Sequence, residues 1–288
     1  MKVIGAFRSI TPTCLLLLSM TAAAVLGRSG DLKPETLAGF DRYVTLTEQR
    51  ATKQLSDPQV FLYVNTLGTG ERSRALESLR QGEVYMAPLV TRDPSGAAIA
   101  IPDGMIHHWL GTVFIPHASL DDVLNVVQDY NHKHDFYPEV VKSRLISRDG
   151  EHFKATMRFR EHHVITVTLD TEHDIVYTEL DPAHWYSRSY STRVSQVENP
   201  GKSGEHDLPD GEGAGFMWRI DTYWRFAQQE GGTYLEVEAI SLSRAIPAGV
   251  GWMVKPFIAS VPRASLEDTL RCTRSAVQAR FKAPKQEP

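Results

Sequence analysis

Apolar and polar positions change their period several times along the chain, and each change marks an element. Between Leu32 and Leu55, Leu37, Phe40 and Val44 recur at helical steps behind Pro34, so a helix is expected there, ended by Pro58. Phe61–Leu67 and Glu83–Val90 alternate like short strands around a polar helix, Gly70–Arg80. Asp93–Gly104 is proline- and glycine-bearing and reads as a linker. Beyond it, Met105–Ile115 is strand-like. Ser119–Tyr130 then predicts a helix that Ser119 caps with Asp122 at its third position, placing Leu120, Val123, Leu124 and Val127 on one face. A short helix at Lys133–Tyr137 stops at Pro138.

A run of strands is expected next: Val140–Arg148, Phe153–Glu161, Val164–Leu169, Ile175–Leu180, Tyr186–Val197, Phe216–Gln228 and Thr233–Leu242, with hairpin turns at Asp149-Gly150 and Gly231-Gly232. Asn199–Gly215 is a polar, glycine-rich connection. Pro262–Phe281 is one long amphipathic helix, followed by a polar tail at 282–288. Strands of this length twist and curl, and the final helix must cover the concave side. The fold class expected is α+β: a curved antiparallel sheet gripping a long C-terminal helix, preceded by a small mixed α/β segment at 28–104.

At the N-terminus, Lys2 and Arg8 precede the apolar run Cys14–Leu26, which small residues follow. The run is shorter than the ~20 residues needed to cross a membrane. Residues 1–27 therefore read as a secretory signal, with cleavage near Ala24 or Gly27 and an uncleaved anchor as the alternative. The expected location is secreted or periplasmic.

The chain carries a formal net charge of −4 and 42% apolar residues, a globular composition without the basic excess of a nucleic-acid binder. Its 2 cysteines, Cys14 and Cys272, cannot build a disulfide framework. The 11 histidines group as His107-His108, His132-x-His134 and His162-His163. Neighbours in a strand point to opposite faces, so no set converges as zinc requires, and neither metal nor cofactor is expected. Nucleophile-elbow, P-loop and dinucleotide fingerprints are absent.

Several phrases together resemble the START-like superfamily (the SRPBCC or helix-grip proteins), specifically its polyketide cyclase/dehydrase and lipid transport group. They are Ser119–Tyr130 leading into Asp135–Gly150, then Arg188–Glu198, Thr233–Pro247 and Pro262–Val277. The resemblance spans 105–281. It implies a cavity between sheet and helix that takes a lipid or another hydrophobic small molecule, with a cyclase- or dehydratase-type reaction there as the alternative. A partner-docking module is a further alternative.

Strand alternation turns Phe153, Ala155, Met157 and Phe159, and likewise Phe216, Trp218, Ile220, Thr222 and Trp224, toward the concave side. On the closing helix, Leu266, Leu270, Thr273, Val277 and Phe281 form one stripe. Ser265, Thr269, Cys272, Ala276 and Ala279 form a second, of small side chains, which leaves room either for close packing or for a guest. The segment Pro247–Pro262, with Trp252 and Phe257, is apolar enough for a lid or for transient contact with a membrane surface, a short buried helix being the alternative. The expected ligand-binding residues are thus Phe153, Met157, Phe159, Trp218, Ile220, Trp224, Trp252, Phe257, Thr269, Cys272 and Ala276. A buried His108, Arg188 or Glu236 on the concave face could assist as acid or base.

Overall fold

The computed structural model describes residues 31–162, 166–246 and 251–282, the side chains of 251–259, 281 and 282 excepted. The expected signal sequence, Pro247–Val250 and the last residues of the tail lie outside the described residues. Among the described residues, helix α1 (Pro34–Leu55) comes first, with proline in its first turn, where the missing N–H costs nothing. A 3₁₀ turn (Tyr63–Thr66), helix α2 (Thr69–Arg80) and strand β1 (Tyr85–Pro88) follow. The strand expected at Phe61–Leu67 does not form. Phe61, Leu62 and Val64 are all buried against Leu79, Phe114 and Tyr234, a burial pattern that alternate positions of a strand cannot give.

Strand β2 (Gly104–Pro116) leads into α3 (Leu120–Val127), where Ser119 and Asp122 form the expected capping box. The Ser119 N–H donates to the Asp122 carboxylate at 2.9 Å and the Asp122 N–H to Ser119 Oγ at 3.2 Å. After the short α4 (Lys133–Phe136) come β3 (Val140–Asp149), β4 (His152–His162), β5 (Thr166–Asp181), β6 (His184–Glu198), a two-residue β7 (His206–Asp207), β8 (Arg219–Gln229) and β9 (Gly232–Arg244). Helix α5 (Gly251–Lys282) closes the chain.

Two expectations change here. The strands expected at Val164–Leu169 and Ile175–Leu180 are one strand, β5, because Asp170–Asp174 stays in the ladder with β4 throughout. The helix expected from Pro262 starts at Gly251, so the apolar segment read as a possible lid is, over its described part, the first turns of α5.

The nine strands form a single antiparallel sheet in the order β1-β2-β9-β8-β6-β5-β4-β3, with β7 beside β6. Register shifts in β3/β4 and β5/β6 add bends to the ordinary twist. The β8–β9 hairpin turns on Glu230 and Gly231, both left-handed at φ 56° and 73°, so the turn sits one residue earlier than the glycine pair suggested.

On the concave face, Leu266, Leu270, Ala276 and Val277 of α5 join Val113, Ile115, Leu235, Val237 and Phe226 in the main core. The helix approaches β2 so closely that a Cβ on Gly111 would lie 2.5 Å from the Leu270 side chain. This is the helix-grip architecture. The convex face is also covered: Phe40, Tyr43 and Val44 of α1 pack on Tyr223, Ile240 and Leu242.

Candidate functional site

Strand pairing lines up the concave face row by row. One row runs Phe153–Ile175–Ser189–Thr222–Ala239–Trp109, through five pairs of neighbouring strands. The adjoining row pairs Ala155 with His173 and His173 with Ser191, and then Ile220 with Ser241 and Ser241 with His107. The next row on the other side runs Tyr177–Ser187–Trp224–Val237–Gly111. Between β4 and β2 no Lys, Arg, Asp or Glu occupies any of these positions; the first row continues onto β3 at Arg148, which pairs with Phe153 and lies over its ring. The intervening residues of the same strands, on the convex face, include Arg158, Asp170, Glu172, Asp174, Arg188, Asp221, Arg225, Glu236 and Glu238.

The concave rows are not uniformly filled. Trp109, Ile220, Thr222, Trp224, Ala239 and Ser241 stay half-buried, whereas Asp221, Tyr223 and Arg225 on the opposite face are buried. Along β8, β9 and β2 the concave face therefore keeps partial access to solvent. In this trough Thr222, Ala239 and Ser241 are small or hydroxyl-bearing, and Ser189 and Ser191 of β6 lie buried beside it.

The trough holds a neutral polar cluster. Thr171 donates its hydroxyl proton to the Met157 carbonyl at 3.0 Å, so toward His173 Nε2, 2.9 Å away, it offers lone pairs only. His173 must then carry its proton on Nε2, which leaves Nδ1 as a bare acceptor. Burial pushes its pKa down to about 4, so the ring is neutral at pH 7. The nearest partner of Nδ1 is Ser189 Oγ, at a long 3.5 Å. The Ile220 N–H lies beyond the end of the β6–β8 ladder and donates to Ser191 Oγ at 2.9 Å. His107 Nε2 pairs with Ser243 Oγ at 2.9 Å, and burial lowers its pKa as well.

Of the residues expected to line a cavity, Ile220 and Trp224 border the trough, and Met157 and Phe159 lie half-buried on the same face of β4. Phe153 is packed core, 1% exposed between Tyr130 and Tyr177. Ala276 is also core, at 9%. Trp218 is a correction. It precedes the strand, so alternation does not reach it, and it packs with Phe40 and Tyr43 of α1. The backbone of Trp252 and Phe257 is helical, and their side chains lie outside the described residues.

Thr269 and Cys272 are half-buried. On α5, Ser265 of the small stripe donates to Glu139 at 3.4 Å, and Tyr137 bonds Thr273 of the larger stripe at 2.9 Å. Burial raises the Cys272 thiol pKa, as does the nearby Glu139.

The acid/base candidates are a second correction. His108 and Glu236 are buried on the convex face, and Arg188 is exposed there over the Tyr190 ring. Under α1, Arg225 bonds Glu236 at 3.0 Å and Glu238 at 3.2 Å, and Arg50 also bonds Glu238. The Thr91 N–H donates to Tyr43 Oη at 2.8 Å, Tyr43 donates to His108 Nδ1 at 2.9 Å, and His108 Nε2 donates to Glu238 at 2.8 Å. Burial keeps His108 neutral against the pull of Glu238. Burial alone would raise the Glu238 carboxyl, but the His108 bond and the two guanidiniums bring it down to about 2. The set fastens α1 to the sheet, and within it the Nε groups of Arg50 and Arg225 are buried without a hydrogen-bond partner.

Two further clefts are formed. One of about 540 Å³ is bordered by Lys142, Arg144, Arg158, Asp170 and Arg193, with Met157 and Thr171 also on its wall; Arg158 and Arg193 are paired to acids. Another of about 250 Å³ lies between α1 and Tyr186 and Arg188. Among the described residues, no group of His, Cys, Asp and Glu converges as a metal site would, and no helix is long and apolar enough to cross a membrane.

No protein-family model and no curated protein matches the chain. Among solved structures it is similar to a STAR-related lipid transfer protein from Xanthomonas axonopodis, at 16% identity and a TM-score of 0.43 over 66% of this chain and 98% of that one. It is similar to the ZhuI aromatase/cyclase from a Streptomyces species at 13% identity and a TM-score of 0.41, over 62% of this chain and 98% of that one. For human STARD10 the values are 12% and 0.41, over 75% and 84%. At these levels the likeness is one of outline and carries no inference about ligand or activity.

Proposed function

We propose that this chain binds and sequesters a hydrophobic small molecule or lipid in the trough between its sheet and α5. One observation carries the proposal: between β4 and β2 the three concave rows hold no formally charged side chain, yet a stretch of them along β8, β9 and β2 stays half-exposed on the face that the closing helix grips. Water held against such a surface is released when an apolar guest enters. At about 25 cal/mol per Å², a guest burying a few hundred Å² gains several kcal/mol before ordering costs. The pattern of Lys2 through Leu26 supports export as part of the same proposal. Native mass spectrometry of the purified protein, before and after organic extraction, is expected to show a stoichiometric small-molecule adduct. A protein that arrives empty and also leaves Nile red unbound would overturn the reading.

A further inference from the structure

From the geometry of the cluster around His173 we infer that the trough selects a neutral amphiphile whose buried end is a hydroxyl, alcohol or phenol, received by His173 Nδ1 and Ser189 Oγ. The inference rests on the binding proposed above and adds the chemistry of the ligand's polar end. His173 and Ser189 are 7% and 9% exposed and lie on the concave face beside the half-buried Ile220 and Thr222. The Thr171–Met157 hydrogen bonds fix the imidazole with its lone pair on Nδ1 and its proton pointing away. Ser189, 3.5 Å off, is too distant to satisfy that lone pair well and retains a proton of its own to give.

An acceptor beside a donor suits a group that is both donor and acceptor. A hydroxyl donates to Nδ1 and accepts from Ser189. An ether or ester oxygen accepts only and leaves Nδ1 unpaired. A carboxylate or phosphate would meet a bare lone pair with no cation on the concave positions of β5, β6 or β8; Arg148 stays at the β3 end of the row, over the Phe153 ring. Ser187, 1% exposed one pair along the strand and without a hydrogen bond of normal geometry, adds a further buried hydroxyl beside the same trough.

The test is displacement of bound Nile red by 1-hexadecanol, by hexadecyl methyl ether and by palmitate, at pH 8, on the full chain. Wild type is expected to prefer the alcohol over the ether by about three- to tenfold, the worth of one or two net hydrogen bonds, and to bind palmitate more weakly still. Ser189→Ala should reduce the alcohol–ether preference, and His173→Phe should abolish it, the preference being read in each variant as the ratio of its own alcohol and ether affinities. Ser189→Ala removes a single oxygen, so it keeps the test open if His173→Phe does not fold. Equal affinity for alcohol and ether in wild type, or an unchanged preference in Ser189→Ala, would overturn the inference while leaving the trough as a binding site. Failure of Nile red and all three alkyl probes to bind would instead remove the binding proposal itself.

Discussion

Ala239→Phe asks whether the trough is space or packed protein, and Ala276→Phe supplies its control. Ala239 sits on β9 between Thr222 and Trp109, and all three are half-buried. Ala276 sits on α5 in the main core and is 9% exposed. Forcing a phenyl ring into a filled core displaces neighbours and costs about 1–3 kcal/mol, the expected loss for Ala276→Phe. At Ala239 the ring would lie along Trp109 and Thr222 in space already open to water. If it removes on the order of 40 Å² of apolar surface from solvent, it gains about 1 kcal/mol, which offsets the rotamer entropy it loses. Ala239→Phe is therefore expected within about 0.5 kcal/mol of wild type in urea unfolding. It should nevertheless lose Nile red binding by at least about tenfold, because the ring occupies the guest's place. Ala276→Phe should show the reverse, lower stability with binding retained below the transition. Equal destabilisation by both substitutions would mean the trough is solid. A stable Ala239→Phe that binds normally would mean the ligand sits elsewhere.

Three further outcomes follow from the convex face. Asp221, buried and facing Glu48 and Asp41, has its carboxyl pKa pushed up to about 7. The folded state thus holds a proton that the unfolded state has released, and stability falls as pH rises from about 4 to 7. Asp221→Asn should remove a decline of roughly 2–4 kcal/mol over that window in denaturant melts, and a difference that does not vary with pH would refute the assignment. Glu238→Gln leaves buried Arg225 and its neighbour Arg50 short of a counter-charge and should cost about 3–5 kcal/mol at pH 7; a loss under about 1 kcal/mol would show that the set is not holding α1. Expressing 105–281 alone should give an aggregating chain, because Tyr223, Ile240, Leu242 and the Arg225–Glu236–Glu238 set would lose their cover; a soluble, cooperatively melting fragment would contradict this.

Much of the fold was legible because it is written in local chemistry. Ser119 and Asp122 announce a helix start, and the alternation along β8 sorted Ile220, Thr222 and Trp224 from Asp221, Tyr223 and Arg225 correctly. The misreadings have physical causes. The polar stretch Asp170–Asp174 looks like a loop until its charges find partners across the sheet, Asp170 on Arg158 at 2.6 Å and Asp174 on His152 at 2.9 Å. Trp218 was assigned by a parity that begins only at Arg219. The serines at 187, 189 and 191 were a visible signal, a period of two in small hydroxyl side chains, and they mark the trough better than the helix stripe does. The role of α1 was not readable. It depends on Tyr43, Glu48 and Arg50 meeting residues far along the chain, as in Tyr223 to Glu48 at 3.0 Å.

The two faces of the sheet also account for each other. A strand that leaves room on one side forgoes part of the packing that would hold it in place, and the small side chains of the trough forgo more than most. Here the missing cohesion is supplied from behind. The convex residues of β8 and β9 are buried by α1 through aromatic contacts and ion pairs, while β2 contributes His108 and Thr112 to the same set. Tyr223 on the convex side and Thr222 on the concave side are consecutive residues, one buried and the other half-exposed. Clamping the backbone at Tyr223 therefore fixes the position of Thr222 without filling the space in front of it. A ligand site of the kind proposed needs a rigid floor, and in this chain the N-terminal segment would provide that rigidity.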